Sequence, residues 1–176
     1  MLDQSDILNY LKRVVNDDMS RIKQITGLLL SMVVAFSVAR LGAVFTNMSL
    51  GQWYDSLIKP TWTPSGTAIG LIWIILYTSM AIAAWVVWLN GGSYKQKSPL
   101  TLYGLQLFLN LAWPFIFFGL RSPEIAFVEI IVLWITVCAT LVSFCKVSMF
   151  AGALMVPYLM WVSFAAVLNF MIWRLN

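Results

Sequence analysis

The chain has 176 residues, 61% of them hydrophobic and only 10% charged. Soluble domains carry roughly 45–50% apolar and about 25% charged residues, so this composition, with a mean hydropathy of +0.84, describes an integral membrane protein. The net charge of +4 is spread over a tail and loops, and histidine is absent, which excludes Ser-His-Asp and Cys-His machinery, His-ligated zinc and His-ligated haem.

Residues 1–23 are polar and mixed in charge, with Leu8, Leu11, Val14 and Val15 at amphipathic spacing. They lack the apolar core and small-residue cleavage site of a signal peptide. The segment reads as a short helix on the membrane surface ending in Arg21 and Lys23, or as a disordered tail.

Five apolar runs follow over residues 24–176, at about 25–45, 64–89, 100–118, 125–144 and 150–173. Each is near the ~20 residues a helix needs to cross the hydrocarbon core. The expected fold class is an all-α membrane protein, a five-transmembrane-helix bundle. Short connectors after the second, third and fourth runs make neighbouring helices antiparallel. The connector at 46–63 is the longest and leads through WYDSLIKPTWTP, where Pro60 and Pro64 interrupt any continuous helix. Its two Trp and one Tyr suit an interfacial belt or a cover over a cavity.

Three runs carry aromatic or polar stripes. The second has Trp73, Tyr77, Ala84 and Trp88 on one side. The third has Gln106, Asn110, Trp113 and Phe117 at i, i+4, i+7 and i+11. The fifth has Tyr158, Trp161, Ala165 and Asn169, after a kink expected at Pro157. Hydrocarbon satisfies neither the amide of Asn110 nor an indole N–H, so these groups face other helices or a shared, mostly apolar cavity. Such a cavity would suit a large planar lipophilic molecule.

Ser31, Ala35, Ala39 and Ala43 repeat every four residues on the first run. They allow close backbone approach by a helix of this chain or of a second subunit. Glu129 and Arg40 stand near span ends and are expected to snorkel to an interface. Cys138 and Cys145 lie seven apart on one helix, too far for a disulfide. No metal-ligand cluster, carboxylate pair or phosphate loop is evident.

Lys12, Arg13, Arg21, Lys23, Lys95, Lys97 and Lys146 fall on the N-terminal side of the bundle, against Arg40, Lys59, Arg121 and Arg174 on the other. Positive-inside bias then puts the N-terminus in the cytoplasm.

The segments WYDSLIKPTWTPSG, IWIILY, LNLAWPFIFFG, Leu133–Trp134 and PYLMWVSFAAVLNFMIWRLN occur in order and with compatible spacings. Together they resemble the translocator protein/tryptophan-rich sensory protein family (TspO/MBR, the peripheral-type benzodiazepine receptor). The resemblance covers nearly everything from Gly27 to Asn176. It implies a five-helix bundle, often a homodimer, in which the loop between the first two spans acts as a lid. It also implies binding of porphyrins such as protoporphyrin IX and haem, of sterols, and of planar drugs, with no cofactor required. The ligand-binding residues by motif would be Tyr54, Pro64, Trp73, Asn110, Trp113, Trp161 and Ala165, and the stripe adds Phe117. Trp73 and Trp161 match the two tryptophans implicated in porphyrin breakdown by some bacterial members. Cholesterol-binding members carry a Tyr near the end of the last helix where this chain has Phe170, so sterol binding loses a hydroxyl partner.

Two functions follow as expectations. The first is an integral membrane receptor or transporter-like protein of a bacterial plasma membrane, with a role in tetrapyrrole regulation or stress response. The second is an enzyme degrading porphyrin with light and oxygen through Trp73 and Trp161. A purely structural bundle, whose stripes are only core, stands against both.

Overall fold

A computed structural model describes residues 4–51, 53–90 and 97–176, with side chains from Met19 onward. The spacing of Leu8, Leu11, Val14 and Val15 and the basic residues Lys12, Arg13 and Lys95 therefore fall outside the described side chains.

The described residues form α1 (Gln4–Asn47), a single turn α2 (Trp53–Ser56), α3 (Gly66–Asn90), α4 (Lys97–Pro114), α5 (Pro123–Cys145) and α6 (Met149–Leu175). A π-helical turn, Phe115–Gly119, continues α4. Five helices are long and apolar enough to cross a membrane: Met19–Asn47, Gly66–Asn90, Lys97–Gly119, Pro123–Cys145 and Met149–Leu175. The chain is thus the five-helix all-α membrane bundle that its composition predicts. In α1 the helix runs unbroken through residue 23, so no change of secondary structure separates the extension from the first span.

Neighbours in contact trace a ring: α1 against α3, α3 against α6, α6 against α5, α5 against α4, and α4 back against α1. Three-residue connectors at 120–122 and 146–148 enforce antiparallel neighbours. At the second of these turns Ser148 accepts from Ala151 N and caps α6. The approach there is close enough that a Cβ on Gly152 would sit 2.1 Å from Cys145 Sγ, so only glycine fits. The two cysteines are free thiols.

The small-residue stripe of α1 finds its partner within the chain. Ser31 Oγ donates to Ala81 O at 2.7 Å, and Ala35 is fully buried in the main core with Met80, Ala81 and Ala83. Further along the same interface Trp88 lies over Gly27, where a Cβ would come within 2.5 Å of the indole. Trp85 Nε1 donates to Gln24 O at 2.9 Å.

Candidate functional site

The floor of the site is a buried polar triad. Tyr77 of α3 donates its phenol to Asn110 Oδ1 at 2.8 Å. Asn110 of α4 in turn donates through Nδ2 to the Tyr158 hydroxyl on α6. One amide thus ties three helices, which answers the demand that hydrocarbon leave no such group unpaired. A second tie stands nearer the α4–α5 turn: Trp113 Nε1 donates to Asn169 Oδ1 at 3.0 Å, and Asn169 Nδ2 donates to Pro123 O at 2.8 Å.

Between these ties the helices part and enclose a cavity of about 580 Å³, within the range of small-molecule sites. Two aromatic groups wall it. Trp113 stacks on Phe117 with centroids 5.0 Å apart, while Trp73 meets Trp161 edge-on at 6.4 Å and Trp161 stacks on Phe164 at 5.2 Å. The π-helical turn begins directly after Pro114, and both Phe117 and Phe118 within it are buried against the cavity. Such turns recur at functional sites because they re-aim side chains. On the remaining side stand Ala39, Arg40 and Ala43 of α1 and Gly66, Ile69 and Gly70 of α3. The Cβ positions of Gly66 and Gly70 meet nothing within 4 Å.

The connector after α1 packs against the aromatic residues of the site. Trp53, Tyr54 and Leu57 pack on the Phe117–Phe118 cluster, and Trp62 meets Phe164 edge-on at 5.6 Å. Ser49 Oγ donates to Phe118 O at 2.6 Å. Ile58 is held by paired bonds to the Asn176 side chain, 3.0 Å each way. Lys59 donates to Tyr54 O and lies 4.5 Å over the Tyr54 ring. Burial, and then the neighbouring Asp55 charge, hold the Tyr54 phenol above its ordinary pKa, so it stays a neutral donor.

All eight residues expected at a binding site, Tyr54, Pro64, Trp73, Asn110, Trp113, Phe117, Trp161 and Ala165, stand on the wall of this one cavity. Of the other stripe members, Tyr77 and Asn169 line it as well, and the rest do not. Gln106 lies beyond the triad, its amide against Met80 Sδ at 3.7 Å, and Trp88 belongs to the α1–α3 contact. Residues not singled out beforehand include Phe118, Phe164 and the small residues of α3. Only the Gly66–Gly70 spacing hinted at the latter. Glu129 corrects an expectation: both its carboxyl oxygens are buried without a partner among the described residues, so it does not snorkel. Arg40 is exposed. Phe170 packs on Phe127 and Trp173. Among the described residues no three His, Cys, Asp or Glu side chains come together to hold a metal.

This geometry defines a class: a polytopic α-helical membrane protein with an aromatic chamber inside its bundle. The particular family follows from sequence comparison. The TspO/MBR family model matches residues 28–174, and the chain belongs to that family. It is 39% identical to the tryptophan-rich protein TspO of Chlorobaculum tepidum over 155 residues, covering 88% of this chain and 98% of that one. It is also 39% identical to the human translocator protein over 137 residues, covering 77% and 81%. With the tryptophan-rich sensory protein of Cereibacter sphaeroides it shares 38% over 142 residues, covering 79% and 88%.

Proposed function

We propose that this protein is an intramembrane receptor or carrier that takes porphyrins, protoporphyrin IX or haem, and other planar lipophilic ligands into the chamber, in a role tied to tetrapyrrole regulation or stress. The observation that carries this reading is the Trp161 indole. It lines the chamber, and its Nε1 is buried with no hydrogen-bond partner among the described residues. An orphaned donor of this kind is costly unless a ligand acceptor or water satisfies it. The aromatic pairs beside it offer faces for a flat ring system, and the 46–63 connector serves as the lid. Saturable quenching of tryptophan fluorescence by protoporphyrin IX in detergent, with affinity weakened in Trp161→Ala and kept in Trp134→Ala, is the expected result. Trp134 is a fair control because it lies off the chamber and donates to Ser163 Oγ at 2.8 Å. Absence of saturable quenching in the unaltered protein overturns the reading.

One observation favours a second reading. Trp73 and Trp161 stand edge to face within the chamber, close enough for both indoles to touch one bound porphyrin. Light-driven oxidation of that porphyrin by dioxygen would then need no protein acid or base. Loss of porphyrin absorbance with turnover under light and oxygen, abolished by Trp73→Phe or Trp161→Phe, is its signature.

A homodimer in a bacterial plasma membrane with a cytoplasmic N-terminus completes the proposal. The basic residues support that orientation. In a background without Cys138 and Cys145, a cysteine at Ser56 should label from outside intact cells, and one at Gln96 only after permeabilisation. The reverse pattern inverts the topology. Sterols are not proposed as ligands, since Phe170 supplies no hydroxyl.

A further inference from the structure

Resting on the reading that the chamber takes planar ligands, the geometry points to Arg40 as an anion subsite at the chamber wall, selecting ligands that carry a carboxylate on an otherwise apolar ring system. Three observations converge. Among the described residues Arg40 is the single charged one lining the cavity. It belongs to a membrane span, Met19–Asn47, yet among the described residues it has neither a hydrogen-bond nor an ion-pair partner. It is also exposed and lines the chamber together with Ala39, Ala43 and Gly70, with nothing within 4 Å of the Gly70 Cβ position.

A guanidinium within a span is expensive unless a counter-charge meets it. The acidic residues of the facing elements do not: Asp55 and Glu124 are exposed, and the Glu129 oxygens are buried without any partner. Several polar side chains of the wall are engaged elsewhere. Asn110 is held between two tyrosines, and Asn169 between Trp113 and Pro123. Besides the Asn47 amide and the Tyr54 hydroxyl, the chamber wall leaves the Trp161 Nε1 and the forked N–H groups of Arg40 without a partner among the described residues. A single exposed positive charge on the wall of an otherwise apolar chamber suits an amphiphile whose ring body enters and whose carboxylate meets that charge. Arginine binds such a group bidentately. Snorkelling of Arg40 to a lipid phosphate is the rival use of the same chemistry.

Mesoporphyrin IX and its dimethyl ester share one ring system and differ in their two carboxylates. Titrated against the full chain in an uncharged, lipid-free detergent, the diacid is expected to bind about tenfold more tightly than the ester, the scale of a charge-assisted hydrogen bond. Arg40→Gln should remove that preference by weakening the diacid while leaving the ester within about twofold, and Arg40→Lys should keep part of it because a point charge replaces the fork. Unchanged ester binding shows that the variant chamber is intact. Equal affinity for diacid and ester in the unaltered protein overturns the inference and leaves the receptor reading standing. So does a diacid preference that survives Arg40→Gln, which would leave the guanidinium to lipid phosphate. If neither porphyrin binds, the receptor reading fails and this inference with it.

Discussion

On one side of the Tyr77–Asn110–Tyr158 triad the bundle is solid; on the other the same helices stand apart around a chamber. The contrast is plainest on α1. Ser31 and Ala35 press against Ala81, and Ala35 has no exposed surface. Ala39 and Ala43, one and two turns on and in the same stripe, border open space. Identical chemistry therefore serves close packing at one end and borders the chamber at the other. The divide lies where large side chains on α3, α4 and α6 meet in hydrogen bonds rather than interdigitate. A polar tie fixes helix positions without filling the volume beyond it.

The sharpest way to break this comparison is to enlarge one alanine in each half. Ala35→Leu forces a side chain into a closed interface and should cost about 3 kcal/mol, the upper range for overpacking, seen as a lower melting temperature in detergent. Ala43→Leu should leave the melting temperature nearly unchanged and instead weaken porphyrin binding. Equal losses of stability in both would show that the two halves are packed alike.

Truncation inside the chamber comes next. Trp161→Ala removes an aromatic wall and should weaken protoporphyrin binding by about 1–3 kcal/mol, while Trp161→Phe should lose less because only the indole donor goes. A melting curve shifted as much as the binding isotherm would assign Trp161 to the solid half.

The triad itself belongs to both halves. Asn110→Leu strands the Tyr77 and Tyr158 hydroxyls and should cost about 1–2 kcal/mol of stability, somewhat above the ~0.6 kcal/mol average for a single helix–helix bond in membranes. Since the amide is engaged by both tyrosines, porphyrin affinity in the folded fraction should change less than the melting temperature. Binding that collapses while the melt overlays would make Asn110 a ligand contact instead.

The smallest effect has the opposite sign. Glu129 makes no hydrogen bond through either oxygen, so Glu129→Leu removes a buried polar group and breaks nothing. It should be neutral or stabilising by about 1 kcal/mol or less, read as an unchanged or raised melting temperature. Marked destabilisation would reveal a partner for the carboxyl.

Much of the chamber was legible in the sequence because its wall residues are aromatic or amide-bearing and recur at helical spacing. Periodicity assigns a side chain to a face, however, and says nothing of depth. Gln106 shares the stripe of Asn110 and Trp113 yet lies beyond the floor, and Trp88 shares that of Trp73 yet packs on Gly27 at the far end of the bundle. Glu129 was misplaced for a related reason. Its distance from the span end suggested reach to the interface, but the rotation of α5 turned it inward.

Composition and apolar run length determined by themselves that this is a five-span helical membrane protein, because hydrocarbon admits only segments that satisfy their own backbone. The order of motifs determined its family resemblance. Tertiary structure alone decided that Ser31 and Ala35 of the α1 stripe close on α3 of the same chain, that Asn110 bonds two tyrosines, that a π-helical turn follows Pro114, and that Arg40 has no partner among the described residues. Each of these depends on which helices become neighbours and how each is rotated about its axis. Those quantities are set by the whole bundle packing at once, and no single segment encodes them.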